Sequence, residues 1–222
     1  MTWTIPNILT TLRLLAAPGV AVMFLYFNRP WADWLALTLF LGAAITDYFD
    51  GYLARLWKQE SKFGAMLDPI ADKAMVVIAL LVLTGYSGMN PWLILPATVI
   101  LFREVFVSGL REFLEANAKL LKVTKLAKWK TTAQMVAISV LFLGTGLEYL
   151  NGVAMQGMTP EQYSEAVAAG LADPVRACGK RDCASVAGDL GLVLIWVAAG
   201  LTLITGWDYF VKALPFLRER KK

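Results

Sequence analysis

The stretch from 47 to 72 reads DYFDGYLARLWKQESKFGAMLDPIAD and carries four aspartates, Asp47, Asp50, Asp68 and Asp72, among apolar runs long enough to cross a membrane. A carboxylate placed in hydrocarbon costs at least about 2.5 kcal/mol on insertion scales. Four such groups need positive charge nearby, and divalent metal ions with oxygen ligands supply it most simply. We therefore expect a metal site in this stretch, and phosphate chemistry on a lipid is typical of such a site.

Helical spacing gathers these acidic pairs. At about 100° per residue the first pair shares its helix face with Gly51 and Ala54, and Arg55 follows directly. The second pair, Asp68 and Asp72, lies one turn apart on the next helix. Because the connection between the two helices is short, we expect them to be antiparallel neighbours that bring all four carboxylates to one depth. The alternative is that the aspartates cap helices or pair with cations at the membrane interface.

Composition decides the class of protein. Of the 222 residues, 58% are hydrophobic and only 17% are charged, whereas soluble domains have about 45–50% apolar and about 25% charged residues. The chain is therefore predicted to be an all-α integral membrane protein. It has no histidine, which excludes histidine ligands and histidine bases. The net charge of +4 is attributed to membrane topology, and no nucleic-acid partner is expected.

Six apolar runs of about 20 residues predict a polytopic bundle of six transmembrane helices. The runs are Pro6–Phe27, Trp31–Leu53, Phe63–Thr84, Pro91–Leu110, Thr131–Leu150 and Val186–Leu214. The first run contains Arg13 and is expected to be a retained helix, since no basic segment and small-residue cleavage site accompany it. Lysine recurs every third residue between Glu112 and Trp129, which predicts an interfacial amphipathic helix on anionic headgroups. A basic loop that only sets topology is the alternative.

Lysine and arginine set the expected orientation. They concentrate on the side of the bundle that holds both termini, so both termini are predicted to be cytoplasmic in a bacterial inner membrane. Residues 1–222 then form one membrane domain, with 151–185 as an extracytoplasmic loop of unassigned function. Cys178 and Cys183 lie in this loop, as a disulfide or as two free thiols. Gly144-Thr145-Gly146 is interpreted as a helix-packing motif rather than a nucleotide-binding loop.

The acidic pattern Asp-x2-Asp-Gly-x2-Ala-Arg-x8-Gly-x3-Asp-x3-Asp resembles the signature of the CDP-alcohol phosphotransferases. All eight fixed positions are filled, by Asp47, Asp50, Gly51, Ala54, Arg55, Gly64, Asp68 and Asp72. Further segments within Ile5–Met135 resemble the members of this family that use glycerol 3-phosphate. The resemblance implies six transmembrane helices, a homodimer, dependence on Mg²⁺ or Mn²⁺, and transfer of a substituted phosphate from a CDP-linked donor to an alcohol with release of CMP.

The resemblance also assigns roles to residues. Two divalent ions would be bound by Asp47, Asp50, Asp68 and Asp72. Asp72 would in addition be the general base for the acceptor hydroxyl. The donor, CDP-diacylglycerol, would contact Asn7, Asp47, Gly51, Ala54 and Arg55.

The acceptor is expected to be anionic because cations cluster in and beside the fourth run. Arg103 lies inside that run, Arg111 follows on nearly the same helix face, and Lys128 and Lys130 open the fifth helix. Glycerol 3-phosphate fits such cations, with Arg13 and Thr10 as additional contacts. Inositol phosphate or phosphatidylglycerol as acceptor, a divalent-cation transporter, and cations that extend to headgroups or balance glutamates are the alternatives left open.

Overall fold

The computed structural model describes residues 5–29, 31–57, 62–114, 125–155, 161–162 and 180–217. Within these ranges the all-α prediction is confirmed. The long helices are α1 (Ile5–Tyr26), α2 (Trp31–Trp57), α3 (Lys62–Tyr86), α4 (Pro91–Leu114), α5 (Lys125–Met155) and α6 (Lys180–Leu217).

The first four helices begin within one residue of the predicted apolar runs, whereas α5 and α6 begin six residues before theirs. Helix α4 includes Glu112–Leu114 and α5 begins at Lys125, so a separate interfacial helix over Glu112–Trp129 is not confirmed; its middle, 115–124, lies outside the described residues. Likewise α5 continues to Met155 and α6 begins at Lys180, which shortens the predicted loop 151–185. The reason is that backbone hydrogen bonding continues through polar residues that hydropathy places outside the membrane. Cys178 lies outside the described residues.

A tight turn separates α3 from α4. Gly88 and Met89 both adopt positive φ, at 61° and 65°. The side-chain oxygen of Asn90 accepts a hydrogen bond of 3.0 Å from the backbone N–H of Trp92, which caps α4. Pro91 then occupies the first position of the helix, where no backbone N–H is needed.

Among the described residues, four helices are long and apolar enough to cross a membrane: Asn7–Tyr26, Pro91–Leu114, Trp129–Leu150 and Val186–Phe216. The helices that carry the aspartates, α2 and α3, are not among these four. Large apolar side chains are exposed along the helices, including Leu15, Leu25, Phe102 and Val105. Because a soluble protein rarely exposes so much apolar surface, the chain is a membrane protein.

The chain divides into two compact units. The first comprises Met1–Leu83 and Ile138–Gly191, and the second comprises Thr84–Ala137 and Leu192–Lys222. A single domain over 1–222 stays a prediction. The core of the first unit contains Phe142 of α5, whose ring centroid lies 5.8 Å from those of Phe24 of α1 and Phe40 of α2.

An ion pair with a buried carboxylate joins α2 to the connection that follows α1 in this unit. Arg29 donates hydrogen bonds of 2.8 and 2.5 Å to the two carboxylate oxygens of Asp33, which is buried. The same guanidinium donates to the carbonyl oxygen of Thr145 at 3.1 Å and lies 4.7 Å from the ring centroid of Tyr149. The loop after α1 is thereby fixed against α5, which holds α1 and α2 in a set register.

The core of the second unit lies between α4 and α6. Val107, Leu110 and Leu114 of α4 form a buried cluster with Tyr209 and Ala213 of α6. The spacing of three or four residues on each helix is that of a single packed face. This cluster fixes the C-terminal half of α4 and the polar residues that it carries.

The interpretation of Gly144-Thr145-Gly146 as a packing motif is confirmed. A Cβ atom on Gly144 would lie 3.2 Å from the backbone nitrogen of Gly188 on α6. A Cβ atom on Gly146 would lie 3.3 Å from Cβ of Asp33 on α2. Both glycines therefore allow close helix contacts.

We expect Gly144→Ala to destabilise the protein by roughly 1–3 kcal/mol, because the added methyl group meets the backbone of α6, which cannot rotate away. The measurement is thermal unfolding of the detergent-purified protein. Gly42→Ala is the matched control, since a Cβ atom on Gly42 has nothing within 4 Å. Equal melting temperatures for the two variants would contradict the close contact.

Candidate active site

One arginine on α1 lies between the two acidic pairs. Nη1 of Arg13 donates a hydrogen bond of 2.5 Å to Oδ1 of Asp47 on α2 and one of 2.8 Å to Oδ1 of Asp72 on α3. The Arg13 side chain is only 2% exposed, whereas those of Asp47 and Asp72 are 43% and 38% exposed. Three helices are thus joined at one guanidinium, and the carboxylates it holds remain open to a ligand.

Asp68 is held by Thr10, which lies one turn before Arg13 on α1. Oγ1 of Thr10, a buried residue, donates a hydrogen bond of 2.7 Å to Oδ1 of Asp68. Asp68 and Asp72 are one turn apart on α3, as the spacing predicts. Asn7, one turn before Thr10, is also buried. The N-terminal half of α1 therefore presents a polar face to the acidic helices, and its apolar half, with Ala17, packs in the core.

The other predicted residues of this site lie on α2, within Trp31–Trp57. The side chains of Asp50, Ala54 and Arg55, and the surroundings of Gly51, are outside what the structure describes. The assignment of Asn7, Asp47, Gly51, Ala54 and Arg55 to the donor therefore stays a prediction.

The acidic residues fit hard divalent cations. No group of three acidic side chains close enough to hold a metal ion is found among the described residues, which do not include the side chain of Asp50. Oδ1 of Asp47 and Oδ1 of Asp72 nevertheless both lie within 2.8 Å of Nη1 of Arg13. Oxygen donors gathered at such distances are the ligand type that Mg²⁺ and Mn²⁺ prefer. The positive charge of Arg13 lies between the carboxylates of Asp47 and Asp72.

A second polar cluster is buried in the second unit. The carboxylate of Glu104 on α4 accepts a hydrogen bond of 3.3 Å from Nη1 of Arg103 and one from Nζ of Lys130 on α5. Arg103 and Lys130 are both buried. With two cations for one carboxylate, the cluster keeps an excess of positive charge that suits an anion.

Arg111 of α4 lies close to Arg103, and we call Arg103, Glu104, Arg111 and Lys130 the cationic cluster. Helix α6 contacts both of its arginines. Oγ1 of Thr205 accepts a hydrogen bond of 3.4 Å from Nη2 of Arg103. The Tyr209 ring, which is buried, lies 5.7 Å from the Arg103 guanidinium and 5.0 Å from that of Arg111. Its hydroxyl oxygen accepts a hydrogen bond of 2.8 Å from Nη2 of Arg111. A Cβ atom on Gly206 would lie 2.9 Å from Cγ of Arg103, so glycine leaves room for the side chain there.

Sequence reasoning missed the contribution of α6. A signal was present: Thr202, Thr205, Gly206 and Tyr209 recur at intervals of three and four residues within an otherwise apolar run. Such a stripe of polar and small residues on one face of a membrane helix indicates a polar contact inside the protein.

The predicted acceptor residues divide between the two clusters. Arg103, Arg111 and Lys130 lie in the cationic cluster of the second unit. Lys128 lies on α5, but its side chain is outside the described residues. Arg13 and Thr10 contact aspartates of the first unit, and a contact of theirs with the acceptor stays a prediction.

The chain is similar to known transferases along its whole length. Residues 3–168 match the family described as CDP-alcohol phosphatidyltransferase. A CDP-diacylglycerol–glycerol-3-phosphate 3-phosphatidyltransferase of Cereibacter sphaeroides is 79% identical over 221 residues, which are 100% of both chains. Its counterpart from Rickettsia bellii is 37% identical over 93% of both chains. The one from Salmonella choleraesuis is 43% identical over 64% of this chain and 78% of its own.

Proposed function

The chain belongs to the CDP-alcohol phosphatidyltransferase family, and from this premise we infer that it transfers the phosphatidyl group of CDP-diacylglycerol to glycerol 3-phosphate. The products are phosphatidylglycerol phosphate and CMP, and the reaction belongs to phospholipid biosynthesis. The observation that carries this function is the 79% identity, over the full length of both chains, to the Cereibacter sphaeroides transferase of that name. The two polar clusters supply the chemistry that the reaction needs.

Asp47, Asp50, Asp68 and Asp72 would hold two divalent ions, Mg²⁺ or Mn²⁺. When bound, these ions neutralise the diphosphate and stabilise the negative charge that develops during transfer. Support comes from the contacts of Arg13 and Thr10, which hold the carboxylates of Asp47, Asp68 and Asp72 on one side of α1. Arg13 would offset their mutual repulsion while the ions are absent.

The transfer forms one phosphorus–oxygen bond and breaks another. The primary hydroxyl oxygen of glycerol 3-phosphate forms a bond to the phosphorus that bears diacylglycerol, and the bond from that phosphorus to the oxygen of CMP breaks. CMP leaves with the bonding electrons. The hydroxyl proton passes to the carboxylate of Asp72, the proposed general base. The partial exposure of this carboxylate leaves it accessible to an acceptor.

The nucleotide part of the donor would lie against Asn7 of α1 and against Asp47, Gly51, Ala54 and Arg55 of α2. Gly51 and Ala54 are small enough to let a ligand approach the backbone. The positive charge of Arg55 suits a phosphate.

The phosphate of the acceptor would be bound by Arg103, Arg111, Lys128 and Lys130, with Arg13 and Thr10 as further contacts. Glu104 keeps Arg103 and Lys130 together before the anion arrives. A dianionic phosphate then competes with one carboxylate for two buried cations, which favours binding. Arg111 adds a third cation whose position is fixed by Tyr209.

We place the protein in a bacterial inner membrane as a homodimer with six transmembrane helices and both termini in the cytoplasm. Four helices already qualify as spans by length and composition. Helices α2 and α3, of 27 and 25 residues, are long enough to be the other two. The basic stretch between α4 and α5 would lie on anionic headgroups.

The function is tested by CMP release from CDP-diacylglycerol in mixed micelles, with each acceptor added separately. We expect release with glycerol 3-phosphate and Mg²⁺ or Mn²⁺, and none after chelation of divalent ions. Release with inositol 1-phosphate or phosphatidylglycerol, and not with glycerol 3-phosphate, would overturn the assigned acceptor.

Tyr209→Phe is expected to raise KM for glycerol 3-phosphate about fivefold with little change in kcat. The substitution removes the hydroxyl that accepts the hydrogen bond of Arg111 but keeps the ring that both guanidiniums contact. Steady-state kinetics at saturating CDP-diacylglycerol measures the effect. Tyr86→Phe, at a partly exposed tyrosine at the end of α3, is the control. An equal change in both constants, or none, would argue against a positioning role.

A further inference from the structure

Three buried polar atoms of the second unit make no hydrogen bond within the described part of the chain. They are Nε of Arg103, Nε2 of Gln134 and Oγ1 of Thr202. Gln134 is 2% exposed and Thr202 is 0% exposed. More than about nine in ten buried polar groups in proteins are paired. Three unpaired atoms in one unit therefore point to a ligand that provides their partners.

Nε of Arg103 belongs to the cluster of Arg103, Glu104 and Lys130, and the other two atoms lie one helical turn from it. Gln134 follows Lys130 by four residues on α5, and Lys130 contacts Glu104. Thr202 precedes Thr205 by three residues on α6, and Thr205 contacts Arg103. Residues at these spacings share a helix face, about 5.4 Å apart along the axis.

Both side chains also lie on the same side of the cluster. Helices α4 and α6 run in the same direction, because Arg103 meets Thr205 and the later Arg111 meets Tyr209. Helix α5 runs the opposite way to α6, because Gly144 meets Gly188 and the earlier Leu141 meets the later Gly191. Gln134, one turn after Lys130 on α5, and Thr202, one turn before Thr205 on α6, therefore lie at the same level along the helix axes. On α4 this level is marked by Ile100, which is buried and has no polar side-chain atom.

The available hydrogen bonds match a hydroxyl group. The Gln134 amide nitrogen and Nε of Arg103 are donors, and the Thr202 hydroxyl can donate or accept. An oxygen atom that accepts from the Gln134 amide and also donates to or accepts from the Thr202 hydroxyl would pair both of these side chains. In glycerol 3-phosphate the secondary hydroxyl is on the carbon next to the phosphorylated one, so it lies within one helical turn of a phosphate on Arg103 and Lys130.

We propose that Gln134 and Thr202 bind the secondary hydroxyl of glycerol 3-phosphate and are specificity-determining residues of the acceptor site. This inference rests on the proposed function, because it needs the phosphate of that acceptor on the cationic cluster. The secondary hydroxyl takes no part in bond formation, so these residues select the acceptor without acting on the reacting atoms. An acceptor that lacks the hydroxyl leaves buried polar atoms unpaired and is rejected.

The test compares glycerol 3-phosphate with 3-hydroxypropyl phosphate, which keeps the phosphate and a primary hydroxyl but lacks the secondary one. We expect the wild-type enzyme to favour glycerol 3-phosphate by at least about tenfold in kcat/KM. Gln134→Met and Thr202→Val should each lower kcat/KM for glycerol 3-phosphate and leave that for the analogue nearly unchanged. Thr202→Ser, which keeps the hydroxyl, should keep the wild-type preference.

The control is Thr98→Val, at an exposed threonine of α4 whose hydroxyl donates only to the carbonyl oxygen of Ile94 among the described residues. This variant should keep the wild-type preference. A preference that is absent in the wild type, or that survives in both Gln134→Met and Thr202→Val, would overturn the proposal and indicate a buried water at this level. If the wild-type enzyme releases CMP with neither compound, the proposed function fails and the inference fails with it.

Discussion

Asp72→Asn is expected to reduce the rate of CMP release by about a thousandfold, since it removes a general base and a metal ligand together. Asparagine keeps the size of the side chain and an oxygen that can accept the hydrogen bond from Arg13. The loss should therefore appear in kcat while the protein stays folded. The measurement is CMP release at saturating CDP-diacylglycerol and glycerol 3-phosphate, with circular dichroism and thermal unfolding as checks on the fold.

Asp189→Asn serves as the matched control for this substitution. Asp189 is an exposed aspartate on α6, outside the acidic stretch. It should retain wild-type activity. If Asp72→Asn retained more than a tenth of the wild-type kcat, another group would have to accept the proton, and the role assigned to Asp72 would be wrong.

Lys130→Met is expected to raise KM for glycerol 3-phosphate about a hundredfold and to leave KM for CDP-diacylglycerol unchanged. Methionine retains the apolar length of the side chain but removes the ammonium group that Glu104 holds beside Arg103. Loss of one partner of a buried charged contact typically costs about 2–5 kcal/mol. The measurement is a titration of each substrate at saturating concentration of the other.

Lys212→Met is the control, because Lys212 is a surface lysine of α6 whose ion pair with Asp208 spans one helical turn. An exposed pair of this kind contributes at most about 1 kcal/mol, so the control should keep both KM values. A parallel rise in KM for both substrates of Lys130→Met would indicate general damage to the fold and would contradict a specific phosphate contact.

The helices were predictable because their signals are local. Length and hydropathy place six helices, and Asn90-Pro91 marks the start of α4 to the residue. Helix ends were less predictable, as α4 and α5 continue through charged residues that end the apolar runs. Hydrophobicity reports where hydrocarbon would begin, whereas a helix ends where its backbone hydrogen bonding stops.

The candidate site was predicted in part. The spacing of the aspartates predicts which face each carboxylate occupies, and Arg103 stands out because a cation inside an apolar run is costly. Lys130 was predicted from its place just before the fifth run. The partners of Arg13 were not predictable, since an arginine on α1 could equally have faced an anionic ligand. The role of Tyr209 was missed because a tyrosine in a membrane helix is ordinarily assigned to the interface.

The sequence by itself determined that the chain is a helical membrane protein, that four carboxylates lie on the consecutive helices α2 and α3, and that the pattern is that of a phosphotransferase family. These properties depend on composition and on spacing within a helix. Only the tertiary structure decided that Arg13 lies between Asp47 and Asp72 and that Thr205 and Tyr209 support Arg103 and Arg111. The physical reason is that such contacts join helices far apart in the chain, so they follow from which faces pack together and not from any local pattern.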